Sequence, residues 1–223
     1  VTGVQTCALP ISAGAQAIAD GFLGAWREAQ VRDFAERVRR DGYALLPAPV
    51  PASLVAELRE FAQRTPCRGL GKAESAPYDA EHADALRYDF SEADILSCPA
   101  ALRLAFDGTL GTLAAAYFGC RPLYDFAAMW WTTRFGEKRY SEAAQAYHFD
   151  MDRFNFLKFF VYLSDVGPQN GPHVYVAGSH RLAVEAERAH GAPVKSAQVC
   201  ARLKAEHTWF ADLFATPTAA LGG

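Results

Sequence analysis

The stretch running from Tyr147 to Arg181 constrains this 223-residue chain more than any other part of it. It opens Tyr147-His148-Phe149-Asp150, with an imidazole and a carboxylate two residues apart. On extended backbone, positions i and i+2 share a face. The two side chains then project into one space and supply two of the three corners of a 2-His-1-carboxylate metal site. Taken alone, His-x-Asp is equally a hydrogen-bonded pair on a strand. The residues downstream narrow the choice. Residues 156–163, Phe-Leu-Lys-Phe-Phe-Val-Tyr-Leu, form an apolar run that reads as a strand covered on both faces. After Ser164-Asp165-Val166 come the turn formers Gln169-Asn170-Gly171-Pro172. A second short strand over 173–177 then leads into Gly178-Ser179-His180-Arg181.

This order of features resembles the phytanoyl-CoA dioxygenase-like branch of the Fe(II)/2-oxoglutarate-dependent oxygenases. There, a His-x-Asp pair precedes a strand ending Tyr-Leu-x-Asp-Val, and an Asn-Gly-Pro…Gly-Ser-His segment comes next. The specific resemblance covers residues 130–181. It implies an α+β fold whose core is a double-stranded β-helix (jelly roll, cupin-like), with N-terminal helices packed outside. It also implies an Fe(II)- and 2-oxoglutarate-dependent dioxygenase that uses O2 to hydroxylate a small molecule, with ascorbate as an auxiliary reductant. His148 and Asp150 become the expected metal ligands and catalytic centre. Neutral imidazole and carboxylate suit divalent iron.

The resemblance further implies a second histidine much later in the chain, with an arginine after it that holds the distal carboxylate of 2-oxoglutarate. After Asp150 only His173, His180, His190 and His207 remain; His207 is the best placed of them for this role, but no arginine follows it. His180 falls in the Gly-Ser-His segment, a structural turn in the family, and His190 in a polar helical stretch. The third ligand and its arginine are therefore expected beyond residue 223, and these residues alone are expected to be inactive. Lys158 interrupts the apolar run. A buried ammonium is costly unless paired, so it is expected either to meet a carboxylate of 2-oxoglutarate or substrate, or to pair with Asp150, Asp152 or a neighbouring acid. Asp152 itself suits an outer role toward an imidazole. Trp130, Trp131, Phe154 and Tyr162 are candidates for pocket walls, and equally for ordinary core.

Composition limits the alternatives. An apolar content of 51% with 21% charged residues fits one globular domain. A net charge of −3 offers no basic surface for nucleic acid or anionic lipid. No apolar run reaches the length of a membrane span. The five cysteines, Cys7, Cys67, Cys98, Cys120 and Cys200, form no Cys-x-x-Cys pair and suggest a reducing, cytoplasmic setting. Residues 1–11 resemble a translated sequencing adapter and are set aside, leaving one domain over 12–223. Two other readings stay open. One is a non-catalytic cupin-like binding module or degenerate relative. The other is a jelly-roll enzyme using Mn or Zn.

The N-terminal half reads mainly as helix. Val31, Phe34, Ala35 and Val38 have helical spacing, stopped at Asp41-Gly42. Tyr43 to Leu46 reads as a short strand. Leu54, Val55, Leu58, Phe61 and Ala62 predict a second helix after Pro51. Residues 66–90 read as a long surface loop, which could serve as a lid. Ser91 opens a capping box, and Asp107 is a plausible N-cap. The aromatic stretch 120–135 reads as strand, and 216–223 as frayed.

Overall fold

Helix α1 (Glu28–Asp41) buries Val31, Phe34, Ala35 and Val38, the stripe its spacing predicts. It packs against α5 (Gly108–Phe118), whose Leu113 is fully buried. Trp26 and Ala19 complete this cluster, with Ala44, Leu46, Leu157 and Phe159 packed on its margin. Phe34 meets Trp26 edge-on and stacks with Phe159. Arg39 ties the two helices at their ends. Its guanidinium donates to the Ala116 and Tyr117 carbonyls at 2.6 and 2.7 Å, among the last carbonyls of α5. These are groups that no intrahelical partner satisfies. The coordinates are a computed structural model that describes residues 17–133, 155–167, 172–181 and 219–221.

The start of α5 is fixed just as firmly. Asp107, buried, accepts from the Thr109 and Leu110 amides at 2.9 and 3.1 Å, as an N-cap should. Its second carboxylate oxygen accepts from Phe22 N–H at 2.8 Å. One side chain therefore caps a helix and anchors the turn between β1 (Ala17–Ala19) and β2 (Trp26–Arg27), which pair antiparallel.

A second cluster forms around α2 (Ala52–Arg64). Leu54, Leu58 and Ala62 are buried there with Cys67, Phe90, Ile95 and Cys98. The chain enters α2 from Pro51, whose carbonyl accepts from Val55 N–H at 3.1 Å. Helix α3 (Glu92–Ser97) begins where Ser91 accepts from Asp94 N–H, and α4 (Pro99–Ala105) comes directly after it. Cys67 and Cys98 behave as small buried hydrophobes, while Cys120 is exposed; all three are free thiols. Burial raises the Cys67 thiol above its ordinary pKa.

Several expectations need correction. Residues 66–90 are not a structureless loop. They supply β3 (Cys67–Gly69), β4 (Ser75–Ala76) and β5 (Arg87–Asp89), which with β6 (Trp130–Thr132) form an antiparallel sheet in the order β4-β3-β5-β6. Strands of two or three residues are too short to show a period of two, so only their pairing with other strands reveals them. In the stretch 120–133 only Trp130–Thr132 is strand. Tyr43 to Leu46 is not strand either, although Ala44 and Leu46 face the first cluster and Leu45 is exposed. Residues 155–167 contain no strand, because hydrophobicity reports burial and not ladder pairing. At the other end, β8 (Ala219–Leu221) lies in a region read as frayed. It pairs antiparallel with β7 (His173–Tyr175), matching His173 to Leu221 and Tyr175 to Ala219.

The C-terminus of α1 is held from three sides. Gly42, at φ 84°, donates to the Val38 carbonyl at 2.8 Å. Gly178 N–H reaches the Asp41 carbonyl at 2.7 Å, and His180 Nε2 reaches the Arg39 carbonyl at 3.1 Å. Tyr175 packs its ring 5.4 Å from that of Tyr43. A Cβ on Gly42 would press into Tyr175 Oη and His180 Nδ1. Gly119, the matching cap of α5 at φ 71°, has nothing within 4 Å of such a Cβ. Gly119→Ala is expected to cost about 1 kcal/mol for the left-handed backbone alone, and Gly42→Ala at least ~2 kcal/mol more through the added clash. Urea denaturation of the two variants checks this, and equal losses would show that the docking adds nothing.

Candidate functional site

The apolar run is unevenly covered. Leu157 and Phe159 pack on the α1 cluster and Leu163 on the α2 cluster. Phe156 and Lys158 are half-buried, as Leu157 and Phe159 are, whereas Phe160 and Tyr162 are 50% and 39% exposed. The run is thus not covered on both faces along its whole length.

Lys158 is half-buried within this run. Its Nζ lies 5.2 Å from the centre of the Phe156 ring and 6.0 Å from that of Phe126. Both are within range of cation–π attraction, which partly compensates the lost hydration of the ammonium. Beside it, the His173 ring packs on Phe160 with centroids 4.9 Å apart. The His173 amide donates to Tyr162 Oη at 2.7 Å, so Tyr162 ties the run to β7. A basic nitrogen set among aromatic rings can hold an anion whose remainder is apolar. Sequence reasoning singled out Lys158 and Tyr162 but missed Phe126, Phe156 and Phe160. Their place near Lys158 in the apolar run was the available signal for the last two.

The two tryptophans expected as pocket walls are separated by the alternation of β6. Trp131 joins the α2 cluster and stacks on Tyr78 at 5.1 Å, with its Nε1 buried and without a hydrogen-bond partner. Trp130 instead lies under the Arg87 guanidinium at 4.3 Å, and Arg87 is in turn paired with Asp89. They cannot line one wall together.

Of the histidines after Asp150, His173 and His180 are among the described residues. His180 is committed to the Arg39 carbonyl through Nε2, and its other ring nitrogen is wedged beside Gly42, so it is unsuited to hold a metal. The structural reading of the Gly-Ser-His turn is the one its contacts support. His173 exposes its ring against Phe160. Among the described residues, no group of three His, Cys, Asp or Glu side chains could hold a metal ion. His148 and Asp150 lie outside the described residues, as do Asp152, Phe154, His190 and His207. Also among the described residues, no helix is long and apolar enough to cross a membrane.

Comparison with known proteins bears on the whole of this region. A family model described as phytanoyl-CoA dioxygenase (PhyH) matches residues 38–198. The matched span starts inside α1, takes in the α2 cluster, α5 and the four-stranded sheet, and includes the positions of His148, Asp150, Lys158 and the Gly-Ser-His turn. No curated protein and no solved structure matches the chain. The match covers well over half of the sequence, and the chain therefore belongs to the phytanoyl-CoA dioxygenase (PhyH) family.

Proposed function

We propose that this protein is an Fe(II)- and 2-oxoglutarate-dependent dioxygenase that hydroxylates a small molecule, built on a jelly-roll core. The observation that carries the reading is the place of His148-x-Asp150 inside the matched span, immediately ahead of the run that carries Lys158. Membership supports the general chemistry, since the family is one of iron- and 2-oxoglutarate-dependent oxygenases. The donor set also suits it: an imidazole and a carboxylate are donors that divalent iron accepts with coordination sites left open. When bound, iron and 2-oxoglutarate together supply an oxidative decarboxylation that yields succinate and CO2 and delivers one oxygen atom of O2 to the substrate.

The chain's own residues have distinct tasks in this scheme. His148 and Asp150 hold the metal on one side. Lys158 offers a charge-assisted hydrogen bond to a carboxylate of 2-oxoglutarate, and the rings of Phe126 and Phe156 keep its ammonium oriented and partly dry. Phe160 and Tyr162 extend an apolar surface beside it for the substrate.

Two measurements test the assignment on protein expressed from its complete reading frame. Anaerobic Fe(II) titration should give one strong site, and His148→Ala or Asp150→Ala should each weaken it by at least about tenfold, the size of effect expected even for an outer-shell partner. Unchanged affinity in both variants would remove these residues as ligands. Lys158→Met should weaken 2-oxoglutarate binding to the iron-loaded protein by roughly tenfold or more, in keeping with the loss of a hydrogen bond to a charged group. An unaltered 2-oxoglutarate affinity would take Lys158 out of the site.

A further inference from the structure

The junction between α1 and the Gly178–His180 turn contains a group that the proposed chemistry leaves unused. His180 Nε2 donates to the Arg39 carbonyl at 3.1 Å, and only a ring protonated at Nε2 can do so. In the neutral ring Nδ1 is then a bare acceptor. That atom is buried, has no hydrogen-bond partner, and sits where a Cβ on Gly42 would point, with Tyr175 Oη beside the same spot. A second proton would place an N–H donor there that makes no hydrogen bond in this arrangement, unless Tyr175 Oη turned to accept it. Burying an unmade donor costs about as much as a lost hydrogen bond.

We propose that His180 is an acid-sensitive latch. Neutral, it holds the Gly178–His180 turn and β7 on the C-terminus of α1; protonated, it lets them go. Release would pass to the proposed site, because β7 is joined to the apolar run through the His173 amide on Tyr162 Oη and the His173 ring on Phe160.

The surrounding charges do not reverse this preference. From α1, Asp41 favours the protonated ring, but its carboxylate is engaged by Arg40 at 2.6 Å. From the turn itself, Arg181 opposes protonation. The Arg39 guanidinium is turned away to the end of α5. Desolvation is the largest influence, and it lowers the His180 pKa below the ordinary 6.5. A folded-state pKa below the unfolded one means that the latch contributes fully above pH 6.5. Its contribution fades as the pH falls from there to the lowered value.

Amide hydrogen exchange, corrected for intrinsic rates, tests the latch at Gly178, whose N–H is bonded to the Asp41 carbonyl. In the native protein its protection should fall roughly tenfold per pH unit below the ordinary histidine range until His180 is fully protonated. His180→Gln keeps an N–H donor for Arg39 but cannot titrate. It should show the same protection at about pH 7.5 and about pH 5.5. Protection that ignores pH in the native protein, or falls equally in His180→Gln, overturns the proposal. Should that variant not fold, NMR titration of the His180 ring decides. A midpoint below the ordinary histidine value, with the Gly178 amide shifting in step, supports the latch, and a midpoint at or above that value refutes it.

Discussion

The capping of α1 by residues more than a hundred positions away is the constraint on which the remaining architecture depends. A helix ends with carbonyls that its own amides cannot reach. Here three are satisfied in sequence: Val38 by Gly42, Arg39 by His180 and Asp41 by Gly178. The last two cross from the helical layer to the turn after β7. Because Gly42 has no side chain, Tyr175 and His180 can approach its backbone directly. That contact brings β7 to the helices, and β7 in turn holds the run carrying Lys158 through Tyr162. The same device recurs at α5, where Arg39 covers the final carbonyls and Asp107 the first amides.

This docking imposes a separation of tasks along the run at 156–163. Leu157, Phe159 and Leu163 join the two helical clusters. Phe160 and Tyr162 stay exposed. Aromatic rings flank the Lys158 ammonium, which partly offsets its lost hydration. The exposure of Phe160 and Tyr162 would be a liability on a surface with no function and suits one that receives an apolar molecule.

Much of the helical half was legible in the sequence. The stripes of α1 and α2, the Ser91 and Asp107 caps and the Gly42 stop all appear where local chemistry places them. These signals are strong because helix periodicity and capping are local. The sheet was not legible, for the converse reason. Arg87–Asp89 and Ala219–Leu221 are strands only because distant partners make them so, and nothing in two or three residues announces it. The aromatic density at 120–133 overstated strand content, since Leu123, Tyr124 and Phe126 are exposed and unladdered. At the site, the family was readable from the order of features between 147 and 181, and the match over 38–198 extends it into the helices. The uneven burial of the run and the separation of Trp130 from Trp131 needed the third dimension.

The oxygenase reading has one direct measurement. Protein expressed from its complete reading frame would be incubated with 2-oxoglutarate, Fe(II), ascorbate and air, and succinate would be followed. Even without its own substrate, such an enzyme is expected to turn over 2-oxoglutarate slowly, with succinate and CO2 formed in equal amounts and only when iron is present. Succinate formation that requires Fe(II) and vanishes in His148→Ala is the predicted result. Correctly folded, iron-replete protein that leaves 2-oxoglutarate intact over many hours, with and without candidate small molecules, would contradict it and leave a binding module on an oxygenase scaffold.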